Sequence, residues 1–114
     1  MQKPIKVRFN SARVAADPIP KADIAKGSPK AKTFLLREED GGRYACGIWH
    51  CTPGTFYWTF GVDEFVYFVE GDASIRYDDG RTIRVRAGEA AHFPKGRCVW
   101  TIGKTVRKVF VIRS

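Results

Sequence analysis

Glu64 heads the stretch "EFVYFVEG", an acid at the start of an otherwise apolar run. Such a carboxylate can ligate a metal ion, or move a proton as a general acid or base. Potential nitrogen and sulfur donors are few: His50, His92, Cys46, Cys51 and Cys98. A transition ion needs about three or four nitrogen, oxygen or sulfur donors converging on it. On a strand, His50 has the opposite parity to Trp49 and Cys51, so the two sets face opposite ways. His92 stands two residues before Pro94 on a short strand. Cys51 and Cys98 are candidate nucleophiles, but a reactive thiolate needs a neighbouring base or helix N-terminus, and the sequence places neither beside them. They read as small buried hydrophobes. A cation for Glu64 could come from Arg107 or Lys108, adjacent residues of opposite parity, of which one can face inward.

The elements that must position these groups are strands. From Lys32 onward, "KTFLLR", "RYACGIWHC", "TFYWTF", "EFVYFVEG", "DASIRY", "RTIRVR", a short piece of "AGEAAHFPKG", "RCVWTI" and "TVRKVFVIR" follow one another with turn residues between them. "TFYWTF" alternates Phe56, Trp58 and Phe60 on one face. "DDG" (Asp78–Gly80) marks a hairpin, after which Ile83 and Val85 face in and Arg84 and Arg86 face out. Many short strands without an amphipathic helix predict an all-β sandwich or barrel. The chain divides into residues 1–31, a basic arm with a short edge strand at "IKVRF" and a loose remainder, and residues 32–114, the barrel. Pro18, Pro20 and Pro29 limit the arm to a helical turn near Lys21–Lys26.

The 114 residues carry a net charge of +8. Eight Lys or Arg against Asp17 and Asp23 place +6 of it in residues 1–32. A basic arm could touch nucleic acid, yet no nucleic-acid motif accompanies it, and a solvated surface is the reading adopted. Three cysteines without a CxxC pair argue for free thiols in a reducing compartment. The start shows no apolar leader and no stretch is long and apolar enough to span a bilayer. The chain is expected to be cytoplasmic.

The blocks "EFVYFVEGD" and "RAGEAAHFPKG" resemble the paired motifs of the cupin superfamily. Glu64, six residues and Gly71 fit the end of the first motif; Gly88, five residues, Pro94 and Gly96 fit the second. With "GIWHCTPGTFYW" and "TVRKVFVI", the likeness extends to the small single-domain cupin-3 family of unknown function, similar to the cupin domains of ureidoglycine aminohydrolases and of an ethanolamine-utilisation protein. The resemblance implies a double-stranded β-helix, the RmlC-like jelly-roll barrel. It also implies an inward Glu64 and, on the last strand, an inward Lys108.

Metal-binding cupins set two histidines before the glutamate and one after the second motif. Those positions hold Trp58, Phe60 and Val99 here. An indole, a phenyl ring and an isopropyl group donate nothing to a metal, so the usual metal site is expected to be absent and no cofactor is assigned. Glu64 would then share a face with Phe60, Trp58, Val66 and Phe68, where it must be neutral or meet a cation. A ligand pocket of Trp49, Cys51, Trp58, Phe60, Glu64, Val66, Phe68, Val99, Trp100 and Lys108 follows, for a small polar metabolite such as an amine, amide or carboxylate, with Glu64 as the catalytic candidate. An ion pair that binds nothing, a metal-dependent enzyme of the ureidoglycine aminohydrolase type, and an interaction module using the arm are the alternatives. The row Phe65, Tyr67 and Val69 is too apolar for water, and predicts cover by a second sheet or by a twin subunit in a homodimer.

Overall fold

The structure, a computed structural model, describes residues 2–114. Nine strands form it: β1 (Ala15–Ala16), β2 (Ile24–Gly27), β3 (Ala31–Glu39), β4 (Tyr44–Cys51), β5 (Gly54–Phe60), β6 (Glu64–Tyr77), β7 (Thr82–Arg86), β8 (Ala90–Phe93) and β9 (Gly96–Arg113). The helical content among the described residues is three single 3-10 turns, at Phe9–Ser11, Lys21–Asp23 and Asp40–Gly42. The all-β jelly roll expected from the sequence is the observed architecture. All pairings are antiparallel, and two long strands organise them. The second half of β9 lies between β4 and the first half of β6, with β3 and β1 beyond β4 and β8 beyond β6. The first half of β9 lies between β5 and the second half of β6, with β2 and β7 outermost.

The sequence breaks into more strands than the fold does. "EFVYFVEG" and "DASIRY" are one strand, as are "RCVWTI" and "TVRKVFVIR". Register shifts in β6 between Phe68 and Ala73 explain the apparent break. Val66 and Phe68 point inward before them, and Ala73, Ile75 and Tyr77 after them, so the inward parity changes. Gly71 sits at this bend with φ +113°, and a side chain there would meet the Thr105 carbonyl oxygen and Val106 Cα, both at 2.7 Å. Only glycine fits, for both reasons.

The first thirty residues depart from expectation. "IKVRF" is not an edge strand: β1 occupies the edge of β3, pairing Ala15 with Thr33. The preceding segment crosses the outer face instead, where Phe9 packs on His50 at 6.1 Å and under Arg107 at 4.7 Å. Nor is the remainder loose. β2 pairs with β5, Ile19 is buried in the core, and Asp17 NH donates to the Ala31 carbonyl. The helical turn at Lys21–Asp23 is present.

The core is a run of rings: Trp100, Phe56, Phe68 and Phe93 are each at most 1% exposed. Burying an apolar side chain of this class contributes roughly 1.5–3 kcal/mol. Val85 lies in this core, whereas Ile83, expected beside it, is 38% exposed at the sheet edge. On the outer face Phe65 and Tyr67 are 52% and 45% exposed, paired across to Val111 and Val109. Among the described residues no second sheet covers them.

Candidate functional site

Between β3, β4 and β9 on one side and β5 on the other, the interior opens into a cavity of about 310 Å³. Its floor is set by alternation on β9. Trp100 and Lys108 have inward parity, and Trp49 of β4 meets both, paired across to Lys108 and with its ring 5.8 Å from that of Trp100. Lys108 is 5% exposed, and its Nζ donates to Glu64 Oε2 at 2.8 Å. The same ammonium lies 4.7 Å from the Trp49 ring and 5.0 Å from the Trp100 ring. A buried ammonium is costly unless paired, and here a carboxylate and two π faces share it. Of the two states open to Glu64, meeting a cation is the observed one. Arg107, of opposite parity, points outward to Glu70 at 3.0 Å and donates from Nε to His50 Nε2 at 3.2 Å.

The expected pocket residues separate into three groups. Trp49, Trp58, Glu64, Trp100 and Lys108 line the cavity. Cys51, Phe60, Val66 and Phe68 are buried in the core and do not line it. Phe60 instead stacks on Phe93 at 5.1 Å with ring planes 5° apart. Val99 is displaced altogether: inward-facing Cys98 and Trp100 flank it, so it points out, beside Ser74, Arg76 and Thr101. The register of β9, which pairs Trp58 with Cys98 and Phe56 with Trp100, fixes this.

Residues not expected add to the lining. Thr33 and Leu35 on β3, Ala45 on β4, Phe56 on β5, and Phe110 and Ile112 on β9 all face the cavity. Most share a strand face with a recognised residue, so alternation held the signal: Phe56 goes with Trp58, and Phe110 and Ile112 with Lys108. Asp17 and Glu38 stand at the exposed mouth. Asp17 accepts a hydrogen bond from Thr33 Oγ1 at 2.8 Å, a position no local pattern in the arm announces.

The chemistry available is that of an acid, an amine and aromatic walls. Among the described residues no three His, Cys, Asp or Glu side chains come together as a metal-holding group. His50 faces outward against Arg107, and burial together with that guanidinium lowers its pKa. His92 lies 3.5 Å from Asp63, more than half exposed. The donor set therefore does not fit the transition ion of metal-binding cupins, since the group paired with Glu64 is the Lys108 ammonium and no two further His, Cys, Asp or Glu side chains join it among the described residues. Both candidate thiols resist ionisation: burial pushes Cys51 up to about 12 and Cys98 up to about 11. Trp100 Nε1 is buried without a hydrogen-bond partner of ordinary geometry among the described residues. No helix among the described residues is long and apolar enough to cross a membrane.

Comparison with known proteins supplies the context. Residues 38–110 match the family model described as the EutQ-like cupin domain. Over 62 residues the chain is 36% identical to a protein named acetate kinase EutQ from Clostridioides difficile, covering 54% of this chain but only 39% of that one. The solved structure of the EutQ protein of Clostridium difficile superposes with a TM-score of 0.71 at 25% identity, over 93% of this chain and 83% of that one. A protein of unknown function of the DUF861 family from Pseudomonas syringae pv. tomato superposes with a TM-score of 0.78 at 21% identity, over 89% of this chain and 44% of that one.

Proposed function

We propose that this chain, which belongs to the EutQ-like cupin family, binds a small polar metabolite in the cavity around Glu64 and does so without a transition metal. One observation carries the reading: a buried Lys108–Glu64 pair forms part of the wall of a cavity of about 310 Å³ instead of being sealed in packed core. An ion pair serving only to fix strand register has no need of open space and aromatic walls beside it. In this reading the indoles exclude water, and Glu64 and Lys108 supply one acceptor and one donor. Glu64 is also the group placed to exchange a proton with what binds, which makes it the catalytic candidate if the bound molecule reacts.

The test is a thermal-shift and calorimetric screen of amine, amide and carboxylate metabolites against wild type and Glu64→Gln. A ligand that stabilises the wild type and loses at least about tenfold in affinity in the variant, about 1.4 kcal/mol, supports the reading. A variant whose stability changes while no compound binds either form supports the ion-pair alternative. The metal-free half is tested separately, by elemental analysis of protein purified without chelator. Stoichiometric manganese, nickel, iron or zinc would favour the aminohydrolase-like alternative.

A further inference from the structure

The cavity reverses the sign of the chain that surrounds it. The chain carries +8, yet the cavity is lined by three acids, Asp17, Glu38 and Glu64, and one base, Lys108. Lys108 and Glu64 neutralise one another at 2.8 Å, which leaves the charge of Asp17 and Glu38 at the mouth. Asp17 is held by a neutral hydroxyl, that of Thr33, and Glu38 forms no ion pair among the described residues. The three tryptophans divide the same way. Trp49 and Trp100 already share the Lys108 ammonium. Trp58 lines the cavity with 39% of its surface exposed, and no cation or second ring lies on it among the described residues.

An indole face in a cavity whose exposed side also carries carboxylates is an environment that attracts an ammonium group, because the ring quadrupole and the acids act with the same sign. The inner pair repeats the arrangement with Lys108 as the bound cation. We infer that the mouth formed by Trp58, Asp17 and Glu38 takes a small organic cation, an alkylammonium whose apolar part lies against the aromatic wall. The inference rests on the cavity being a binding site, and it adds the charge of the ligand. It also disfavours phosphorylated ligands, which would meet the two rim carboxylates.

Three probes of one shape test it: choline, its uncharged tert-butyl isostere dimethylbutanol, and the anion dimethylbutanoate. Calorimetry and quenching of tryptophan emission report binding. Choline is expected to bind about tenfold tighter than dimethylbutanol, the size of a well-placed cation–π contact, and dimethylbutanoate weakest of all. The double variant Asp17→Asn, Glu38→Gln should lower choline affinity several-fold and leave dimethylbutanol unchanged, with an unaltered melting temperature as the folding control. Equal binding of choline and dimethylbutanol, or tighter binding of the anion, would overturn the cation assignment and leave the cavity standing as a site. Failure of choline to bind also overturns it, whereas the site itself fails only if the wider metabolite screen yields no ligand either.

Discussion

Beneath β6, β7 and β8 the barrel interior is filled. Phe60 stacks on Phe93, Tyr77 lies 6.3 Å from Phe60, and the Tyr77 hydroxyl donates to the Pro94 carbonyl at 2.9 Å. Beneath β3 and β4, in the same barrel, it is hollow. Backbone alternation is the same in both halves; the inward side chains differ. Phe68, Ile75, Tyr77 and Phe93 point in from the first, against Thr33, Leu35, Ala45 and Trp49 from the second. Side-chain size at inward positions, more than the path of the strands, decides where this barrel can hold a ligand. The filled half supplies the stability that lets the other half stay open around a buried charge pair.

The sharpest way to break this contrast is to cut one large side chain from each half. Phe93→Ala removes a ring that touches Phe60, Phe68 and Trp100, and should cost about 3–5 kcal/mol in denaturant unfolding. Leu35→Ala, at the mouth where Leu35 is 47% exposed, should stay within about 0.5 kcal/mol. Equal costs would mean that the hollow half is packed in solution.

The filled half was more legible in the sequence than the hollow one, for a physical reason. Rings at alternate positions of a strand advertise a core, as Phe60 and Phe68 did, although Phe56 and Trp58 carry the same signal and line the cavity. A cavity is defined by what small residues leave empty, and Thr33 and Ala45 look the same whether they face a ligand or a neighbouring side chain. Glu64 and Lys108 could be paired because parity let one of Arg107 and Lys108 face inward and the family resemblance favoured Lys108. Val99 was misplaced because a motif carries spacing without register, and pairing Trp58 with Cys98 turns Val99 outward. Asp17 escaped notice because its place depends on β1 pairing with β3 through two residues, too short a contact for any periodicity.

The next effect in size concerns the charge pair. Lys108→Met strands Glu64 among indoles without its cation, and should cost about 2–3 kcal/mol, less than a fully sealed pair because Glu64 keeps some access to the cavity. Adding Glu64→Leu should recover most of that loss, because an apolar pair of similar volume suits the site. Additive losses in the double variant would show that the two residues are stabilised by different partners, and the contrast between a packed half and a charged half would lose its second term.

The smallest effect asks how far the hollow reaches. Cys51 lies on β4, on the hollow side, and Cys98 lies on the first half of β9, its thiol 3.4 Å from the Trp58 carbonyl. Burial is the main cause of the raised pKa of both, with nearby Lys108 pulling each back down. A thiol in the unfolded chain ionises near 9.0, while Cys98 holds its proton to about 11 and Cys51 to about 12. Below pH 9 both states are protonated and stability is unaffected. As pH rises from 9 towards 11 and 12 the unfolded chain loses protons that the folded chain keeps, so stability falls across that window. Cys51→Ala and Cys98→Ala should each flatten part of the alkaline decline, read from melting temperature against pH. Thiolate absorbance of the single-cysteine variants assigns each part. If Cys51 instead titrates near 9 in the folded protein, water reaches it from the cavity, and the hollow half extends past Trp49 into what the packing here makes core.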